Sequence, residues 1–137
     1  MTARRSDDEG SILLLTIGYA VLALALVFVC VDATSLYLAQ KRVEAVADAA
    51  ALAGADGFTV TVDGAGAAAT LTDDGVRAQA ADLVAALGTA TLVSAETPDG
   101  VSARVTVTAT WHPPILALFV PEGVALRATA TSRNALR

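Results

Sequence analysis

The longest apolar stretch in the chain, SILLLTIGYAVLALALVFVCV, fills positions 11–31 and contains neither a charged residue nor a proline. A bilayer has an apolar layer about 30 Å thick, which about 20 helical residues cross, so this length predicts a retained transmembrane helix. Two alternatives remain: a cleaved secretory signal, whose apolar part spans only about 7–15 residues, and a buried helix of a soluble domain. The absence of a polar stripe argues against the soluble helix.

The clearly polar side chains within this stretch are those of Ser11, Thr16 and Tyr19. A threonine hydroxyl can return to the backbone of its own helix, while a tyrosine hydroxyl needs another partner in lipid. We therefore expect Thr16 and Tyr19 to take part in interactions of the membrane helix. Because Arg4 and Arg5 precede the stretch closely, the positive-inside rule predicts a cytoplasmic N-terminus and an extracytoplasmic remainder.

A helical pattern continues beyond the apolar stretch, through ATSLYLAQKRVEAVADAAALAGADG. Apolar residues recur there with a period of about 3.6, and glycine is absent until Gly54. These apolar positions are Leu36, Ala39, Val43, Val46, Ala47, Ala50 and Ala53. The pattern predicts one helix from near Ser11 to near Ala53, about 60 Å long. Its alanine-rich stripe fits the core of the chain's own domain or, alternatively, contact with other subunits.

Downstream, the pattern alternates between strands and one helix. GFTVTVD, ATLVSAE, VSARVTVTATW and VALRATATSR predict strands, GAGAAAT predicts a flexible connection, and TDDGVRAQAADLVAALG predicts a second helix. On the third strand one face is apolar and the other carries Ser, Arg and Thr, as in an antiparallel sheet with one solvated face. ILALFV predicts a turn of helix docked on the sheet. The fold class is therefore α+β, with a long N-terminal helix packed on a small antiparallel sheet and a second short helix.

On the second helix, Thr72 or Asp73 is expected to form the N-cap and Gly88 to end the helix. Its predicted buried side consists of Val76, Ala80, Leu83, Val84 and Leu87.

Composition narrows the possible functions. Among 137 residues the formal charge is −5 and aromatic residues make up 4%. The absence of a basic patch after Asp32 argues against nucleic-acid binding, and the scarcity of aromatic residues argues against a small-molecule cleft. The single cysteine, Cys30, lies within the apolar stretch and has no cysteine partner.

Candidate catalytic groups are isolated in the sequence. His112 is the only histidine and follows a predicted strand, without a nearby cluster of cysteine or carboxylate ligands. Asp73 and Asp74 are explained by the start of a helix, where acids are favourable. Trp111 is expected to be a large core side chain, with ligand stacking as the alternative. We therefore expect no enzymatic activity, no cofactor and no metal site.

The N-terminal block resembles a known family. A Gly-Ser start, an apolar helix ending in Val-Asp, a Leu-Tyr-Leu step, a basic pair and ADAAALAGA together resemble the start of TadE/TadG-like proteins of the tight-adherence (Flp) pilus system. The resemblance covers about a third of the chain. It implies a minor type IVb pilin or pseudopilin, and a leader that a prepilin peptidase removes between Gly10 and Ser11. Family members carry glutamate at the fifth position after the cut, where this chain has Leu15, so a minor, tip-like or scaffold role is implied rather than a repeating subunit.

The sequence thus predicts a cytoplasmic leader-like segment at 1–10, a transmembrane helix at 11–31 and an extracytoplasmic α+β domain at 32–137, with the helix continuing to about 54. The expected function is structural: a single-pass component of a tight-adherence pilus or related secretion machine, with other assembly proteins as partners through the N-terminal helix, either as a homo- or as a hetero-oligomer. The alternative is a membrane-anchored extracytoplasmic binding or sensing domain unrelated to pili.

Overall fold

One long helix organises the molecule. The computed structural model describes residues 5–64 and 66–133, and its helix α1 spans Arg5–Ala55. The predicted single helix is confirmed, and it begins earlier than Ser11 because the preceding residues contain no proline. At 51 residues it is about 76 Å long. Positions 1–4 of the expected leader lie outside the described residues.

Five strands and a second helix complete the fold. Strands β1 (Thr59–Asp63) and β2 (Gly66–Thr70) form an antiparallel hairpin, followed by helix α2 (Asp73–Leu87). Strands β3 (Thr91–Glu96), β4 (Ser102–Trp111) and β5 (Val124–Arg133) form a second antiparallel sheet in the order β3-β4-β5. The α+β class is therefore confirmed, with sheets of two and three strands.

The prediction of a flexible connection at GAGAAAT was wrong. Gly66–Thr70 pairs residue by residue with β1, from Asp63 opposite Gly66 to Thr59 opposite Thr70. Glycine and alanine are weak strand formers, so local composition masked a strand that cross-strand hydrogen bonding stabilises. The hairpin stands apart from the main core, since Val60 and Val62 are exposed.

Helix α2 begins and ends at its predicted caps. The Thr72 hydroxyl accepts a hydrogen bond from the Gly75 amide at 3.2 Å, and Gly88 adopts the left-handed conformation with φ of 63°. This conformation favours glycine because it has no Cβ. Its buried side includes Val76, Ala80 and Val84 as expected. Leu87 was wrongly predicted to be buried: it is 46% exposed, because the helix ends there and leaves the core.

The core lies between the C-terminal half of α1, helix α2 and the three-stranded sheet. The alanine-rich stripe of α1 packs against α2, β4 and β5, with Ala47, Ala50 and Ala51 at most 1% exposed. The inner face of β4 supplies Ala103, Val105 and Val107, each fully buried. The stripe thus serves the chain's own domain, and its small side chains let α1 approach the sheet closely.

The outer face of β4 is less solvated than predicted. Ser102 and Thr106 are buried, although their neighbours Arg104 and Thr110 are exposed. Because β4 is the central strand, its outward side chains are flanked on both sides: the Thr106 and Thr129 hydroxyls lie 2.8 Å apart, and the Ser102 hydroxyl donates to Asp99 at 2.9 Å. Hydroxyl groups can be buried here because each has a hydrogen-bond partner.

The segment between β4 and β5 also departs from its prediction. Residues 114–119 form turns, with the Phe119 and Val120 amides both donating to the Leu116 carbonyl, at 2.9 and 3.2 Å. These turns do not dock on the sheet, since Leu118 is 92% and Phe119 80% exposed. The sheet already packs against α1 and α2, so the turns are not needed to cover its inner face.

Candidate membrane and assembly surface

Residues 10–31, in the N-terminal half of α1, are exposed on all sides and are called the bare segment below. Every residue from Gly10 to Val31 is exposed, whereas Asp32 is buried against the domain. Of the residues that the structure describes, α1 is the one helix long and apolar enough to cross a membrane. An apolar surface of this size is not left in water by soluble monomers, so lipid or other helices must cover it. A membrane anchor is the simplest arrangement that does so.

The residues singled out for helix interactions lie on this bare segment. The Thr16 hydroxyl donates to the Ile12 carbonyl at 2.9 Å, within its own helix. Tyr19 is 66% exposed, and its neighbour Gly18 has open space where a Cβ would stand. Residues on this face line a shallow groove: Ser11, Leu14, Leu15, Gly18, Tyr19 and Leu22. Small residues beside an aromatic one allow a second helix to approach closely.

The expected processing site lies inside α1. Gly10 and Ser11 continue the helix without a break, and both are exposed. A Cβ on Gly10 would meet no other atom, so packing does not require a glycine at this position.

Asp32 lies where the bare segment of α1 meets the domain. Its carboxylate Oδ1 accepts a hydrogen bond from the Ile115 amide at 3.2 Å, and one turn along α1 the Trp111 indole Nε1 donates to the Ser35 hydroxyl at 3.1 Å. Asp32 is only 6% exposed, and its Oδ2 has no hydrogen-bond partner among the described residues. Sequence reasoning assigned Asp32 no role beyond ending the apolar stretch. One feature could have predicted its burial: Asp32 lies on the same face of α1 as the apolar stripe that follows it.

A polar and aromatic cluster follows Asp32 on the exposed side of α1. The Lys41 ammonium lies 5.8 Å from the Tyr37 ring centroid and 2.7 Å from Glu44 Oε2. The hydrogen bond with Glu44 raises the pKa of Lys41, and the same bond lowers the pKa of Glu44. Aromatic and basic side chains are enriched where a transmembrane helix leaves the bilayer.

The structure brings His112 and Trp111 together with Arg42 of α1. They border a groove of about 260 Å³ between α1 and the end of β4. Trp111 is half-buried and packs against the core through its ring, while His112 is exposed. In the described part of the chain, no three side chains of histidine, cysteine, aspartate or glutamate come close enough to hold a metal ion.

The comparison with known protein families gave a match that covers most of α1. Residues 10–57 match the family model described as "Putative Flp pilus-assembly TadE/G-like", which confirms the resemblance of the N-terminal block. The matched range holds the bare segment, Asp32 and the buried stripe, and ends where α1 turns toward β1. No curated protein and no solved structure matches the chain.

Proposed function

Because residues 10–57 are TadE/G-like, we propose that this chain is a minor pilin-like or pseudopilin-like component of a tight-adherence (Flp, type IVb) pilus or a related secretion machine. Its role is structural and requires no catalysis. The observation that carries the proposal is the combination of a bare apolar segment and a helix that continues without a break into the core of a small domain. Such a molecule holds the domain at a fixed distance from the membrane while its anchor contacts other anchors.

The proposed contact surface is the face of α1 around Gly18 and Tyr19. Helices in a bilayer gain little from the hydrophobic effect, so they associate through close backbone packing and hydrogen bonds between polar side chains. Gly18 permits the close approach, and Tyr19 carries a hydroxyl that needs a partner in lipid. Thr16 lies one turn before Tyr19, and its oxygen can still accept a hydrogen bond although its proton is engaged with Ile12.

The proposed topology follows the basic residues. Arg4 and Arg5 keep the N-terminus in the cytoplasm, which places the domain after Asp32 outside it. Prepilin-type processing between Gly10 and Ser11 would make Ser11 the new N-terminus at the start of the membrane segment. Leu15 stands where the family has glutamate, so no carboxylate is available there to neutralise a neighbour's new amino group. This favours a minor position in the assembly.

The proposal is tested by photo-cross-linking in native membranes. The photoreactive amino acid p-benzoylphenylalanine replaces Tyr19 in one variant and Leu24 in a matched control, because Leu24 is exposed and lies about 140° from Tyr19 and about 120° from Gly18 around the helix. We expect the Tyr19 variant to form cross-links to proteins of the pilus assembly platform, identified by mass spectrometry, and the Leu24 variant to form far fewer. The intact mass of the recovered chain also reports whether the first ten residues are removed.

Two results would contradict the proposal. Recovery of the chain without any pilus-assembly protein, from cells that build the pilus, would favour an unrelated anchored domain. Equal cross-linking from Tyr19 and Leu24 would show that the proposed face is not specific.

A further inference from the structure

The apolar turns between β4 and β5 lie at the level where α1 leaves its membrane segment. The backbone passes from Trp111, tied to Ser35, to Ile115, tied to Asp32. Ser35 and Asp32 are one helical turn apart, and Asp32 is the nearer of the two to the bare segment. The chain between β4 and β5 therefore descends along α1 toward the bilayer before it reaches residues 116–119.

The residues that follow Ile115 are apolar and uncovered. Leu118 is 92% and Phe119 80% exposed, and Leu116 is 37% exposed. The segment 113–121, PPILALFVP, contains no charged residue. Exposed apolar residues that are scattered singly are normal, but these lie within four positions of one turn, directly after Ile115, which is bonded to Asp32 at the end of the bare segment.

We propose that residues 116–119 insert into the headgroup and acyl boundary of the leaflet on the domain's side of the membrane. The inference rests on the proposed membrane anchoring of α1. Apolar side chains enter this boundary favourably when the backbone around them is satisfied, and the Leu116 carbonyl accepts two amides of this turn. Tyr37 and Lys41, about 7 to 14 Å beyond Asp32 along α1, have the residue types and the position of an interfacial anchor.

The insertion gives the small domain a second contact with the bilayer besides α1. A single membrane helix can rotate and tilt in the bilayer and carries its domain with it, whereas a helix and a neighbouring inserted turn define an orientation. The lipid surface is the occupant that this position favours, because the turn begins at Ile115, which is bonded to Asp32 at the end of the segment proposed to lie in lipid.

The experiment uses the full chain in liposomes, at high dilution in lipid, with Cys30→Ala as background. Single cysteines at Phe119→Cys, Val21→Cys and Val62→Cys carry a nitrobenzoxadiazole label. Val62 lies on the distal hairpin and is 78% exposed, closely matching Phe119. Quenching by nitroxide-bearing lipids reports contact with lipid, and quenching by iodide reports contact with water.

We expect the Phe119 label to be quenched several-fold more strongly by shallow lipid nitroxides than the Val62 label, and several-fold less by iodide. Equal iodide quenching at the two sites would overturn the insertion. Protection at Phe119 from both quenchers would also overturn it, since that result indicates a protein contact. The Val21 label separates the two proposals: if deep nitroxides fail to quench it, the anchor itself is not in the bilayer and both proposals fall.

Discussion

Asp32 illustrates how a single residue can connect two parts of this protein. It stands at the end of the bare segment, yet it is buried, and its partner Ile115 is 83 positions away in the chain. Burial of a carboxylate is costly unless hydrogen bonds compensate, and one of its two oxygens has a partner among the described residues. The hydrogen bond therefore ties α1 to the β4–β5 turns but satisfies only one of the two buried oxygens.

Asp32→Ala is expected to release the β4–β5 turns from α1. The Ile115 amide loses its acceptor, and leaving such a group unsatisfied costs about 1–3 kcal/mol. Hydrogen exchange in detergent micelles should be faster at the Ile115 amide and unchanged in β4. Asp32→Asn keeps an oxygen acceptor and should protect that amide, and Asp48→Ala, at an exposed position of the same helix, serves as the control. Unaltered exchange in Asp32→Ala would show that the hydrogen bond is not structurally important.

Asp99 shapes the turn between β3 and β4. Its carboxylate accepts hydrogen bonds from the amides of Val101 and Ser102, at 3.1 and 2.6 Å, and from the Ser102 hydroxyl. The Val101 bond contributes most, and together these bonds lower the pKa of Asp99 from its ordinary value of 3.8. The charged form is therefore favoured in the folded protein. Its stabilising effect is complete well above pH 3.8 and is lost as the pH falls through the folded-state pKa.

Asp99→Asn should make the stability less dependent on pH in the acid range. The wild-type melting temperature is expected to fall from about pH 5 downward through the folded-state pKa of Asp99, which lies below 3.8, and the variant should fall less over the same range. Thermal unfolding followed by circular dichroism in non-ionic detergent measures both. Asp82→Asn, at an exposed position of α2, is the matched control and should retain the wild-type slope. Parallel curves for wild type and Asp99→Asn would disprove the role of Asp99.

At the scale of elements, the contact between α1 and α2 depends on glycine. An ideal Cβ on Gly57 would lie 2.9 Å from the Gly75 carbonyl oxygen, and one on Gly75 would lie 2.8 Å from the Gly57 carbonyl oxygen. Gly54, in the last turn of α1, would bring a Cβ within 3.0 Å of Val76. The backbone of the turn that follows α1 therefore meets the backbone of α2 directly, which explains a glycine inside α2 that helix propensity disfavours.

Gly75→Ala should destabilise the protein although alanine is the better helix former. Helix propensity alone would add up to about 1 kcal/mol of stability, but the clash with a backbone oxygen costs about 1–3 kcal/mol and requires α2 to move. Chemical denaturation in detergent gives the free energy of unfolding. In Gly64→Ala the new methyl group meets no atom within 4 Å, so its effect should be small. If Gly75→Ala instead stabilises the protein, the close backbone contact at Gly75 does not limit the stability.

For the whole molecule, the sequence predicted the elements with a strong period and failed where partners are distant. Helix α1 and strand β4 are periodic over many residues, so their elements and inner faces follow from local pattern. Apart from Thr70, strand β2 is glycine and alanine, and its pairing with β1 was hidden from any local signal. The bonds of Asp32 to Ile115 and of Trp111 to Ser35 join residues 83 and 76 positions apart, and only the tertiary fold brings them together. The sequence therefore predicted the membrane segment, but not the hydrogen bonds that join α1 to the β4–β5 region.

The unbroken passage of α1 from the bare segment into the core makes the helix a rigid lever. From Val31 to Ala55 it extends about 36 Å, and no proline or other kink interrupts it. A helix longer than the local bilayer is thick tilts to match it, and a tilt of about 10° would displace the far end of the domain sideways by about 6 Å. The position of the distal hairpin thus responds to membrane thickness, and a change in bilayer composition would re-aim the domain without altering any contact within it.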